Sequence, residues 1–344
     1  MGIFRKSIPG QGRDVAIDMG SSTTLVYVRG KGIVLQEPSV IAIDKASGDV
    51  VAFGKEAAQM LERVPDTIEV IRPLRRGTVA DFDTTERMLK HFLFKAIGKR
   101  PLAKPRVITT VSYGSSQVEK RAVLQAVQQA GTREAYLIEE PLAAAMGAHL
   151  PVDEATGSMV INIGGGRAEI AVLALGGVVN ATSTSEAGDA WDEAIKDYLR
   201  REYLLEVGGP TAEKLKKQWG FACDPPPGAK TEITGIHTVT GLPKKVEITA
   251  QDITKALSHP LWTLIHMASR VFERTSPQLA SDIIENGIVM TGGGAMLKNL
   301  DKLLSQELAL PVRVADRPIE CAARGAGKAL TQTASLSQLA LYRA

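Results

Sequence analysis

Two segments, Ile17-Asp18-Met19-Gly20-Ser21-Ser22-Thr23-Thr24 and Ile161-Asn162-Ile163-Gly164-Gly165-Gly166-Arg167-Ala168, repeat one arrangement 144 residues apart. Each offers a polar side chain, then a glycine turn, then an apolar strand. Backbone N–H groups in such turns can face a phosphate. Asp18 is placed to hold the water shell of Mg²⁺, Gly20 lets the backbone approach phosphate oxygens, and Ser21, Ser22 and Thr23 add N–H and O–H donors. The alternative role for Asp18 is to stabilise a turn through its own backbone. Asn162 holds the matching place in the second turn. Its amide brings no charge, a difference on the order of 1 kcal/mol per hydrogen bond, so magnesium is held less firmly there. A third turn, Gly292-Gly293-Gly294-Ala295, follows a strand and is expected to open a helix through about Leu308. One glycine turn alone is weak evidence, because it often only accommodates positive φ. The paired spacing is what points to a nucleotide.

Glu139 and Glu140 end a strand, and Pro141 suits the first turn of the helix that follows. Acids there are also favoured simply by the helix macrodipole. The functional alternative makes one of them the residue that orients a water on a γ-phosphate, and spacing does not choose between the two.

The elements that must position these groups alternate. Strand-like runs at Val15–Ile17, Leu25–Val28, Ile33–Leu35 and Val40–Ile43 suggest a meander. A helix from about Asp83 carries Met88, Leu89, Phe92, Leu93, Ala96 and Ile97 on one stripe, and Gly98 ends it. Phe94 lies about 200° from Phe92 around that helix, off the stripe. Arg106–Val111, a helix with Ser116 and Glu119 in capping-box spacing, and Ala135–Ile138 make a strand, helix, strand crossover. Ile288–Met290 and Val312–Ala315 repeat the alternation, so each half is α/β. Between the halves, a helix with Trp191, Ala194, Ile195, Tyr198 and Leu199 on one face precedes a hairpin of Glu232–Val239 and Lys244–Thr249.

The 344 residues, 44% of them hydrophobic, suffice for two cores. A net charge of +3 without a basic stripe argues against nucleic acid. Cys223 and Cys321 show neither zinc nor disulfide spacing, and no apolar run approaches the ~20 residues of a membrane span, so a cytoplasmic chain is expected.

The chain resembles the actin, sugar-kinase and heat-shock chaperone ATPase superfamily, and within it the MreB-type bacterial actins, over nearly its whole length. The resemblance rests on Gly30-Lys31-Gly32-Ile33-Val34-Leu35 with Glu37-Pro38-Ser39-Val40, on Ile71-Arg72-Pro73-Leu74 with Val79-Ala80-Asp81-Phe82, on Leu137-Ile138-Glu139-Glu140-Pro141, and on Ile288-Val289-Met290-Thr291-Gly292-Gly293-Gly294-Ala295. It implies an actin-like α/β fold of two duplicated ribonuclease-H-like domains, with ATP or ADP and Mg²⁺ in the cleft between them. Domain I would span 1–145 plus about 316–344, with a small part at about 33–77. Domain II would span about 146–315, with a small part at about 186–249. By resemblance, Asp18 to Thr23 and Gly164 to Gly166 clasp phosphates, Glu213 and Lys216 flank the nucleoside, Gly292 to Ala295 complete its pocket, and Glu140 orients water. The i,i+3 spacing of Glu213 and Lys216 also suits a surface salt bridge.

The resemblance further implies head-to-tail protofilaments in antiparallel pairs, with Val118 near the lateral contact. It implies a peripheral position at the inner membrane through Ile3, Phe4, Leu93 and Phe94, beside membrane-embedded cell-shape and wall-synthesis proteins. Departures cluster where hydrolysis would occur. Asn162 stands for the usual Asp, Arg167 for a hydroxyl residue, and Ser112-Tyr113 for a Pro-Ser pair. Binding is therefore expected to outlast turnover, with Arg167 either adding charge near the phosphates or facing solvent. A small-molecule kinase, for which no sugar-site motif is found, and a nucleotide-holding scaffold are the competing readings.

Overall fold

A computed structural model describes residues 14–75, 77–98 and 104–330, and the backbone of 342–343. Ile3 and Phe4 lie outside these residues. Two large sheets share one topology. In the first, Gly32–Pro38, Thr23–Val28 and Asp14–Met19 run antiparallel in that order, and Arg106–Val111 and Glu134–Glu139 extend the sheet parallel to Asp14–Met19. In the second, Gly177–Thr184, Ala168–Ala174 and Ser158–Ile163 are antiparallel, and Ile288–Thr291 and Val312–Val314 extend the sheet in parallel. The duplication expected from the two turns thus covers five strands per half. Both strands that carry the turns, Asp14–Met19 and Ser158–Ile163, are central and buried throughout. That is why they read as apolar runs rather than alternating ones.

The predicted meander divides. Ile41–Asp44 leaves the first sheet and forms a small antiparallel sheet with Val50–Phe53 and Ile68–Ile71. The predicted hairpin is present as Lys230–His237 and Pro243–Thr249, with Leu205–Glu206 as a third strand. The helix Phe82–Ile97 starts one residue before the sequence suggested, because Asp81 caps it by accepting a hydrogen bond from Thr84 N. Ser116 and Glu119 form the expected capping box on Gln117–Gln129. The helix expected from Met296 is interrupted. Gly294–Met296 is one 3₁₀ turn, Asn299 is left-handed, and the α-helix runs Leu300–Leu308.

Leu93 requires a correction. It is 2% exposed, packed with Leu89, Phe92 and Ile97 in the core of the first half. Its place on the Leu89 stripe leaves no apolar surface for a membrane. Phe94, off that stripe, is half-buried.

Two helices join the halves. Glu140–Gly147 leaves the last strand of the first sheet and packs on the second, while Cys321–Ala329 packs back on the first. They cross at glycines. A methyl on Gly147 would meet the Cys321 carbonyl, and one on Gly325 the Ala143 carbonyl. Gly325→Ala is expected to cost about 2 kcal/mol through this overpacking, which scanning calorimetry would record as a melting temperature about 3 °C lower.

Candidate functional site

The duplicated turns face each other across a cleft of about 420 Å³. A Cβ on Gly165 would lie 2.6 Å from Ser22 Cβ, and one on Gly20 would lie 2.7 Å from the Thr23 carbonyl oxygen. Only glycine permits that approach. Gly292, at φ +81°, sits against the Ile163 backbone and ties the third turn to the second. Asp18, Gly20, Ser22, Thr23, Glu140, Asn162, Gly164, Gly165, Glu213, Lys216 and Gly292 to Gly294 all line the cleft.

Four predicted residues stand behind the lining. Ser21 is buried, and its Oγ accepts a hydrogen bond from Gly77 N at 2.9 Å. Gly166 and Ala295 are buried in their turns. Arg167 is half-buried and donates to Ser183 Oγ at 3.2 Å, so it neither lines the cleft nor points simply to solvent. Its charge does reach the site, drawing the carboxyl groups of Glu140 and Glu169 toward ionisation.

The floor of the cleft repeats itself in a way the sequence did not announce. Thr110 Oγ1 donates to Asp18 Oδ1 at 2.7 Å, and Thr291 Oγ1 donates to Asn162 Oδ1 at 2.9 Å. Thr291 ends the parallel strand beside its turn, and Thr110 is the penultimate residue of the corresponding strand. Comparing Thr109-Thr110-Val111-Ser112 with Met290-Thr291-Gly292 offered only a faint signal. The amide of Asn162 is committed at both ends, since its Nδ2 donates to Glu140 Oε1 at 2.8 Å.

Burial pushes the Glu140 carboxyl up to about 7, and the nearby Asp18 adds to the rise, while the Asn162 bond and Arg167 oppose it. Burial likewise lifts Asp18 to about 6, against the Thr110 hydrogen bond. Behind them Glu169 is pushed well above its ordinary range by burial and then by Glu140, although Tyr113 N donates to its Oε1 at 2.9 Å. Ser112 Oγ donates to the Gly77 carbonyl at 3.2 Å. Ser112 and Tyr113 thus contact the Gly77 carbonyl and Glu169, behind the cleft lining. Crowded, incompletely neutralised carboxyls suit a divalent cation. Among the described residues, no group of three or more His, Cys, Asp or Glu could hold such an ion. A carboxylate beside a phosphate-sized cleft is compatible with a divalent ion bound chiefly through water.

At the nucleoside end, Glu213 and Lys216 do not pair with each other. Lys217 Nζ meets Glu213 at 2.7 Å, while Lys216 Nζ lies 2.8 Å from Asp192 and donates to the Gly188 carbonyl at 2.6 Å. Both residues thus present their helix face to the cleft beside Gly188 and Trp191, the latter read from sequence only as part of an apolar helix face.

This geometry has relatives. The family model described as MreB/Mbl protein matches residues 12–338. The chain belongs to the MreB/Mbl family. It is 47% identical over 323 residues to the cell shape-determining protein MreB of Escherichia coli K12, covering 92% of this chain and 93% of that one. It is 42% identical over 315 residues to the cell shape-determining protein Mbl of Bacillus subtilis 168, covering 92% and 95%. Its fold matches MreB5 of Spiroplasma citri bound to ADP with a TM-score of 0.90 at 29% identity, over 96% of this chain and 99% of that one. The same protein bound to AMPPNP gives 0.89. A MamK double helical filament matches at 0.78 and 20% identity, a likeness of fold alone. Family and actin-like fold are those implied by the sequence motifs.

Proposed function

We propose that this MreB/Mbl-family chain is a nucleotide-gated cytoskeletal polymer that binds ATP or ADP with Mg²⁺ in its cleft and hydrolyses ATP slowly. The observation that carries this reading is the convergence of both duplicated turns and the third glycine turn on one cavity, closed at the nucleoside end by Glu213 and Lys216. Asp18 would hold the ion through water, where it would supply neutralisation of phosphate charge, and Glu140 orients the attacking water. Thr110 and Thr291 fix the two residues flanking the phosphates, and Asn162 restrains Glu140.

Subunits stack head to tail and pair antiparallel through the helix bearing Val118, whose side chain is 76% exposed. The relatives' role in cell shape supports placement at the inner face of the cytoplasmic membrane, beside wall-synthesis proteins. Among the described residues no helix is long and apolar enough to cross a membrane. Attachment would be peripheral, through Ile3, Phe4 and Phe94, each weak and made effective by the polymer's many copies.

The test is sedimentation across a concentration series with Mg-ATP, Mg-ADP and no nucleotide, with phosphate assayed in the same tubes. Pelleting above a critical concentration with Mg-ATP is expected, accompanied by little phosphate, and the polymer should co-float with anionic liposomes. No pelleting under any condition would favour a scaffold that holds nucleotide without assembling, a reading that the Asn162–Glu140 contact also accommodates.

A further inference from the structure

A residue in the turn that follows the helix Gly54–Gln59, beside the small sheet of the first half, bridges to the second half. Glu62 Oε1 accepts a hydrogen bond from Gly209 N at 3.0 Å, across 147 residues of sequence. Gly209 begins the helix Gly209–Trp219, which carries Glu213, Lys216 and Lys217 into the cleft. That helix lacks its own cap. Its N-cap is Gly208, without a side-chain hydrogen bond, and its first turn contains no acid. Glu62 supplies both missing features from the opposite side, a carboxylate acceptor and a negative charge at the positive end of the helix dipole.

Both partners are shaped for this contact. Glu62 sits at φ +58°, a left-handed conformation that favours glycine and that a glutamate adopts at a cost. On the other side, a Cβ on Gly208 would collide with Glu62 Oε2. A second bridge runs alongside, Arg72 Nη1 to Asp189 Oδ1 at 3.3 Å, reaching the first turn of the helix Gly188–Tyr203.

We propose that Glu62 is a positioning residue that clasps the nucleoside helix across the cleft mouth and so slows nucleotide release. The inference rests on the nucleotide reading of the cleft. Opening the cleft must break the Glu62–Gly209 contact and move Glu213 and Lys216 away from the bound base and ribose. The clasp acts on escape rather than on chemistry.

The experiment follows dissociation of a fluorescent N-methylanthraniloyl-ADP, chased with unlabelled ADP, from the full chain below its pelleting concentration. Glu62→Gly, which removes the carboxylate and suits the backbone angle, is expected to speed release about three- to fivefold, the scale of one partly exposed dipole contact. Association and melting temperature should stay unchanged. Gly208→Ala, whose methyl takes the place of Glu62 Oε2, should speed release equally, and the double variant should add nothing further. Raising the salt concentration should accelerate release from the wild type more than from Glu62→Gly, in which only the Arg72–Asp189 bridge is left to be screened. Equal release rates for wild type and both variants, with the analogue clearly bound, would overturn the clasp alone. Failure of the wild type to bind the analogue would overturn the nucleotide reading and the clasp with it.

Discussion

Glu140→Gln is expected to lower steady-state phosphate release from Mg-ATP at least about a hundredfold while nucleotide affinity changes little, because the amide cannot accept a proton from water. Single-turnover phosphate release and fluorescent-nucleotide titration separate the two effects. In the free cleft the Glu140 carboxyl titrates at about 7 rather than 4.5, so only a fraction of it is ionised at neutral pH. If turnover requires the carboxylate, the rate rises with pH through about 7 and falls on the acid side. This limb should vanish in Glu140→Gln.

The same shift carries a stability signature of opposite sense to that of an ion-paired carboxylate, whose pKa is lowered on folding. Between about 4.5 and about 7 the folded chain holds a proton that the unfolded chain has released, so this group's contribution to stability declines as pH rises through that window. Glu140→Gln should therefore raise the melting temperature of nucleotide-free protein by a few degrees at pH 8 and by much less near pH 5. A variant that turned over ATP at the wild-type rate would remove Glu140 from the mechanism.

Asn162→Asp is expected to raise phosphate release about tenfold. Two effects act together. The new carboxylate adds charge where the wild-type amide has none, strengthening the hold on water around Mg²⁺ by roughly 1 kcal/mol. The substitution also removes the 2.8 Å bond from Asn162 Nδ2 to Glu140 Oε1. With that oxygen released, Glu140 can accept from a water instead. The Thr291 hydroxyl donates to the 162 side chain in either form, so the strand end keeps its geometry. Without Mg²⁺ the extra charge beside Asp18 and Glu140 is unfavourable, so the variant's gain should depend steeply on magnesium. A rate equal to wild type across a magnesium titration would mean that Asn162 does not limit turnover.

Most of the fold was legible in the sequence because local physics dictated it. The central strands carry the apolar stretches Val15–Ile17 and Met159–Ile161 before a glycine turn, the pattern of strands buried on both faces. Ser116 with Glu119, and Gly98 after Ile97, mark helix ends through hydrogen bonds within a few residues. The glycine turns also followed from sequence, because close backbone approach excludes any Cβ.

Relations between distant segments were decided only by tertiary structure. Spacing allowed Glu213 to pair with Lys216, yet packing against the Gly188 turn sent Lys216 to Asp192 and left Glu213 to Lys217. Arg167 could have faced phosphate or solvent, and Ser183 on the adjacent strand held it beside the cleft instead. The twin threonines and the Glu62 bridge connect residues 92, 129 and 147 positions apart. Sequence determined which elements form and where the backbone must come close. Which side chain meets which depends on how segments distant in sequence pack within and between the two halves, and no local pattern encodes that.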